Sequence, residues 1–313
     1  MKMQYWKRME PIRLNYILWK SFQRIVLSFF IVSIVSSALF AQNTDTVSNV
    51  NPNRLKIVVI GSTVAYTGAM VGLSYVWYSN YDKQDFHFFN DAGEWKQMDK
   101  AGHFYSAFQL SSIGSQSLQW SGVSKKKSDW IGALTGFVVI SSIEVLDGFS
   151  AGYGASASDL AANLLGAGFY LGQQALWKQI KIYPKFSFHQ TAYAAQRPET
   201  LGATYFQQII KDYNGQTYWL SVDMNKFLNF PKWLNFSIGY GAEDMLYAND
   251  SDNLQNNLNP YRQFYFGLDF DLTAIKSRSK FINGLIYFAN MVKLPAPTLE
   301  ISNGKVKGYF FYY

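Results

Sequence analysis

Hydrophobic and polar positions along the 313-residue chain fall into three regimes. Residues 25–40, IVLSFFIVSIVSSALF, are an uncharged apolar run between a basic stretch and the polar, turn-rich AQNTDTVSNVNPN. Four longer segments follow, at 55–78, 103–120, 129–146 and 157–177, where apolar residues mix with Gly, Ala and Ser over helical lengths. Each predicts a helix. Beyond about residue 185 the pattern becomes short and alternating in KFSFHQTAYA, QTYWLSVDM, WLNFSIGYGA and RQFYFGLDFDL, which predicts antiparallel strands. SNGK at 302–305 predicts the tight turn of a final hairpin, and SKFINGLIYFANMVK at 279–293 one amphipathic helix among the strands. The fold class expected is α+β: a bundle of about four small-residue-rich helices over 55–180, then an antiparallel β region with one further helix over 185–313. About seven strands are foreseen, below the eight of the smallest membrane barrels. A sheet packed on the bundle is therefore the main expectation, and an outer-membrane barrel the alternative.

The first regime reads as a secretory signal peptide over residues 1–41, with cleavage after Ala41, and residues 42–54 as a linker. Charge supports this. Residues 1–24 carry six basic residues against Glu10, so +5 of the formal +7 belongs to the leader, and the remainder has 22 basic and 20 acidic residues. A near-neutral body removes the case for a nucleic-acid partner. With 49% hydrophobic and 18% aromatic residues the chain has ample core material. It contains no cysteine, which excludes disulfides, thiolate metal sites and a lipidated cysteine among these residues.

Three of the four helices are long enough to cross a bilayer, but HFYSAFQLSSIGSQSLQW is too polar to face lipid all round. SKKKSD at 124–129 and the basic N-terminus would both prefer the cytoplasmic side, which alternate threading cannot satisfy. A bundle in the periplasm or against a membrane is expected, with a membrane or envelope lipid as partner. GAMVG at 68–72 and GFYLG at 168–172 have the Gly-xxx-Gly spacing that permits close helix approach.

Candidate chemistry is concentrated in EVLDGFSAGYGASASDLAANLLGAG at 144–168 and DKAGHF at 99–104. In an up-and-down bundle, Asp99, Lys100 and His103 open the second helix, Glu144 and Asp147 close the third, and Asp159 and Asn163 open the fourth. All three groups then share one end. The spacings i,i+4, i,i+3 and i,i+4 keep each pair on one side of its helix. Ser156 and Asp159 fit a capping pattern, Asp99 can also cap, and Asp147 before Gly148 can sit at a helix C-terminus. His103, Glu144 and Asn163 have no such local task and demand partners. A satisfied interhelical network meets that demand. So would a histidine acid or base oriented by carboxylates, or a divalent cation held by carboxylates with an amide oxygen or the histidine. No HExxH, EF-hand, GxSxG, Walker or GxGxxG element occurs, and nothing signals a nucleotide or haem. His87 and His189 read as incidental.

DKAGHFYSAF followed by EVLDGFSAGYGASASDLAANLLGAG resembles the YfiM-like domain-of-unknown-function family of predicted periplasmic lipoproteins, in its longer Bacteroidetes-type form, over roughly 55–180. The matching residues are Asp99, Lys100, His103, Glu144, Asp147, Gly148, Ser156, Asp159 and Asn163. More distantly, Asp-Lys-x-x-His-Phe, a later Glu and Asp-xxx-Asn-xx-Gly resemble the VanZ-like membrane family. The resemblance implies an envelope location. Two roles are open: a structural or ligand-binding protein organised by this cluster, or an enzyme on an envelope lipid or lipid phosphate. The enzyme would use His103 as acid or base, with Glu144 and Asp147 orienting or holding metal and Lys100 meeting an anion.

Overall fold

The computed structural model describes residues 50–78 and 81–312. The expected signal peptide and most of the linker lie outside them. The fold is α+β, with helices in the N-terminal half followed by a six-stranded antiparallel sheet that contains one further helix. The described residues form two compact units, one from 50–78 with 115–131 and the other from 81–114 with 132–312.

In the first unit, helix α1 (Pro52–Tyr78) is long and apolar enough to cross a membrane, with mean hydropathy 1.6, and only Tyr66 along it is buried. Its start is tied to the loop at 121, where Asn51 N–H donates to Ser121 O and the Arg54 guanidinium lies 5.3 Å from the Trp120 ring. Helices α2 (Met98–Trp120) and α3 (Lys125–Asp147) begin or end in this unit. Asp129 accepts there from Ser115 Oγ and Lys125 Nζ. By length and composition α3 also passes the membrane-crossing test, yet it is one-third buried within the protein and carries Glu144. We read it as a core helix.

In the second unit α2 is the central helix, with α3 and α4 (Ala157–Trp177) against it. A Cβ on Gly136 would stand 2.2 Å from Ser111 Oγ, and one on Gly166 2.2 Å from the Phe104 carbonyl oxygen. These two glycines let the backbones meet. Among the described residues, nothing lies within 4 Å of a Cβ added to Gly68, Gly72, Gly168 or Gly172. Phe108, Ala133, Tyr170 and Ile180 form the apolar centre.

The sheet runs in sequence order: β1 (Ile182–Phe188), β2 (Gln216–Val222), β3 (Leu234–Glu243), β4 (Tyr261–Phe270), β5 (Ala296–Ser302) and β6 (Lys305–Tyr312). Helix α5 (Lys280–Ala289) connects β4 to β5. At the β5–β6 turn Asn303 and Gly304 have φ 48° and 70°, the left-handed pair that a two-residue hairpin loop needs. Among the described residues there are six strands, against about seven foreseen. The His189–Ala194 part of the first expected strand is instead loop and a short helix at Tyr193–Gln196.

Cross-strand register shows a polarity that alternation alone could not reveal. One row of the sheet reads Phe186, Tyr218, Tyr240, Phe264, Ile301, Val306, and the opposite face reads Lys185, Trp219, Gly239, Tyr265, Glu300, Lys307. Apart from Trp219 and Tyr265, which pack on each other inside, polar residues face inward and apolar ones outward. The sheet curls over its polar face: Lys185 on β1 meets Asp269 on β4 at 2.6 Å, both side chains fully buried, and Tyr312 on β6 packs on Trp219 of β2. Lys185 Nζ also donates to Phe270 O and Asn290 Oδ1. Gly239 has no Cβ because the Trp219 ring lies 2.6 Å from where one would stand. Helix α2 covers the apolar face over β1 and β2, with Tyr105 against Phe186 and Tyr218 and Gln109 donating to Pro184 O.

Removing one partner of the Lys185–Asp269 pair leaves a buried charge, so Asp269→Asn should cost about 3–5 kcal/mol in urea denaturation. Burial lowers the Lys293 pKa to about 8 from 10.5, with Asp269 opposing and Lys185 assisting. Above pH 8 the unfolded chain therefore binds a proton that the folded chain has released. Stability should rise by about 1 kcal/mol per pH unit between pH 8 and 10.5, and Lys293→Met should flatten that rise.

Candidate functional site

The cluster begins with a strained turn. Trp95, Lys96 and Gln97, none of them glycine, hold φ of 47°, 51° and 63° just before α2. Left-handed backbone costs roughly 1–2 kcal/mol per residue, so the turn needs outside support. Tyr240 OH donates to Lys96 O, Arg262 donates to Gln97 Oε1 at 2.6 Å, and Trp95 packs beside Met98, Ala242 and Met245. The sheet thereby fixes the loop carrying Asp91 and the first turn of α2.

Lys100 is the electrostatic centre. Its Nζ lies 2.7 Å from Asp91, 2.8 Å from Asp99 and 3.1 Å from Asp159, and its side chain is 12% exposed. Burial works against the ammonium, but Asp99 and Asp91 outweigh it and raise its pKa. Asp91 also accepts from Ser156 Oγ at 2.5 Å and Ser158 Oγ at 2.8 Å. Burial alone would raise Asp91, yet the hydrogen bonds from Lys100 and Ser156 hold it down to about 2. Asp99 and Asp159 go the other way, raised first by burial and, for Asp159, by the Asp99 charge.

Ser156 caps α4 by accepting from Asp159 N–H at 3.1 Å. The Ser156 N–H donates to Glu144 Oε2 at 3.0 Å, so an acid from α3 serves the helix start while the Asp159 carboxylate faces Lys100. Burial, then Asp159 and Asp147, push Glu144 up to about 9. His103 Nδ1 lies 2.9 Å from Asn163 Oδ1, and Asn163 Nδ2 donates to Ser141 Oγ. That orientation assigns the ring proton to Nδ1 and leaves the Nε2 lone pair facing Glu144 Oε1 at 3.6 Å. Burial lowers the His103 pKa to about 4, with Asn163 opposing. Glu144 Oε1 and Asp159 Oδ1 are buried and without a hydrogen-bond partner, Lys100 lying near Asp159 Oδ1 outside hydrogen-bond alignment.

The structure thus brings together Asp99, Lys100, His103, Glu144, Ser156, Asp159 and Asn163. Asp147, half-buried in the last turn of α3, acts on Glu144 through its charge. Sequence reasoning did not single out Asp91, Ser158 or Ser141. Asp91 lies in an aperiodic aromatic loop, and its only sequence signal is an acid without a local capping role. His87 pins that loop, its main chain exchanging bonds with Gly148 and Ala155 and its Nδ1 lying 3.1 Å from Gly148 O.

Residues 85–173, which contain every member of this cluster, match the family model of predicted periplasmic lipoproteins, DUF2279. The match is narrower than the resemblance seen in the sequence. No curated protein and no solved structure matches the chain. The family description fits an exported periplasmic protein of the envelope. Its lipid attachment has no acceptor among these 313 residues, which include no cysteine.

Replacing Lys100 with Met would strand Asp91, Asp99 and Asp159 without their cation. The expected loss is about 3–5 kcal/mol, read from the denaturation midpoint in urea.

Proposed function

We propose that this is a membrane-associated envelope protein with a structural or ligand-binding role, its sheet turned toward lipid and its polar cluster organising the helices. The observation that carries this is the outward face of β3–β6. Ile238, Phe264, Phe266, Leu299, Ile301 and Val306 lie there, each at least 49% exposed, while the inward face is polar. Apolar-out and polar-in is the arrangement of a sheet whose solvent is hydrocarbon. At one end of the strands Trp233 stacks on Phe270 and is 54% exposed, with exposed Lys232 next to it in the chain and exposed Lys276 and Arg278 in the segment that follows β4. An aromatic and cationic rim suits the headgroup region of an anionic bilayer. Helix α5 continues the surface, with Phe281, Ile282, Leu285 and Phe288 exposed and Tyr287 bonded to Ser112. For a chain without a cysteine to lipidate, this face provides a means of staying at a membrane.

A second reading, an enzyme on an envelope lipid phosphate, draws on the contact between His103 and Glu144. It is weakened by Lys100, the cation it would use for the phosphate, because three carboxylates already surround that ammonium.

Flotation with vesicles containing anionic lipid tests the first reading. Wild-type protein should float, and Phe264→Asp with Ile301→Asp should remain at the bottom of the gradient with unchanged circular dichroism. Equal flotation of the double variant would reject the lipid-facing role of the sheet.

A further inference from the structure

The carboxylates of the helical cluster differ in how their charge is met. Asp91, Asp99 and Asp159 surround Lys100 Nζ at 2.7, 2.8 and 3.1 Å. Glu144 Oε1 has no hydrogen-bond partner, with Glu144 only 2% exposed, and Asp159 Oδ1 has no aligned hydrogen bond, only the Lys100 ammonium at 3.1 Å. His103 Nε2 faces this second pair, 3.6 Å from Glu144 Oε1, and one donor atom from each of the three residues lies within 4.8 Å of the others. Ligand atoms held about 2.1 Å from a common ion stand roughly 3–4 Å apart, so small rotations of these side chains close the triad.

Charge points the same way. One ammonium meets Asp91, Asp99 and Asp159, while Glu144, buried like Asp159, has no cation of its own, and an ionised carboxylate is costly in a low-dielectric interior. A divalent cation beside Glu144 and Asp159 supplies the counter-charge that Lys100 alone does not. The outer contacts are also in place. Asn163, fixed by its bond to Ser141, accepts the hydrogen bond of His103 Nδ1–H and so turns the Nε2 lone pair to the acids, as outer partners of metal-bound imidazoles do.

We infer that His103 Nε2, Glu144 Oε1 and Asp159 Oδ1 form a binding site for a divalent transition-metal ion, Zn²⁺ or Mn²⁺ by the chemistry of one nitrogen and two carboxylate oxygens. Asn163 is the positioning residue. Asp159 bridges the ion and Lys100 through the separate lone pairs of its carboxylate. Three protein ligands leave coordination positions open to water or to an oxygen of a bound ligand. The inference stands apart from the lipid-facing reading of the sheet, because neither uses the other's residues.

The test is a titration of the full chain, stripped with chelator, with ZnCl₂ or MnCl₂, followed by calorimetry and by the thermal midpoint. One ion per chain and a midpoint raised by several degrees are expected. Asn163→Leu should weaken affinity roughly 10–100-fold, and His103→Gln or Glu144→Gln by more than that. The protein has three histidines in all, so a His87→Gln/His189→Gln variant controls for surface binding and should bind like wild type. Folded wild type that takes up neither ion would overturn the proposal. So would unchanged affinity in His103→Gln and Glu144→Gln, or loss of binding in the control variant. Should the site variants fail to fold, the visible spectrum of wild type loaded with Co²⁺ decides: bands of a protein-coordinated ion support the site, and the spectrum of the aqueous ion refutes it.

Discussion

One ammonium group joins the start of α2 to the loop before it and to α4, about sixty residues further along the chain. Lys100, in the first turn of α2, draws in Asp91 from the preceding loop and Asp159 from α4, together with its neighbour Asp99. Four acids could not share this interior without a cation among them, because each buried carboxylate raises the cost of the next. Once Asp159 is committed to Lys100, the start of α4 needs another acid, and Glu144 reaches across from α3 to take the Ser156 N–H. That leaves Glu144 beside His103 with its second oxygen unpaired. The geometry of the whole cluster follows from where that one positive charge sits.

The same demand for partners shapes the sheet in reverse. Its inward face carries Lys185, Asp269, Ser221 and Asn235, which bond one another across strands and leave Asp269 Oδ1 and Asn235 Oδ1 without a hydrogen bond, while most aliphatic side chains and phenylalanines point out. Helix α2 covers part of that apolar face, over β1 and β2, and belongs at the same time to the polar cluster. A single helix therefore presents charge toward α3 and α4 and aromatic surface toward the strands.

Much of this was legible in the sequence. The four helices, the strands and the 302–305 turn followed from period and punctuation, because those signals are local. Which face of the sheet lies inside was not legible, since apolar-in and apolar-out strands share the same period of two. The glycines that helices pack against, Gly136 and Gly166, carry no mark in the sequence, because their use depends on where another helix passes. The cluster members on helices were visible through their spacing. Asp91 was not, because a loop residue has no periodicity and its partners are 9 and 65–68 residues away.

The left-handed turn at Trp95–Gln97 has a consequence for the order in which the molecule matures. Its support comes from Tyr240 and Arg262, on strands made long after the helices. Helices released first would carry Asp99, Lys100 and His103 on an unbraced entry, with Asp91 unpositioned. The polar centre is thus finished from behind, by the last third of the chain, so that within the second unit helices and strands mature together.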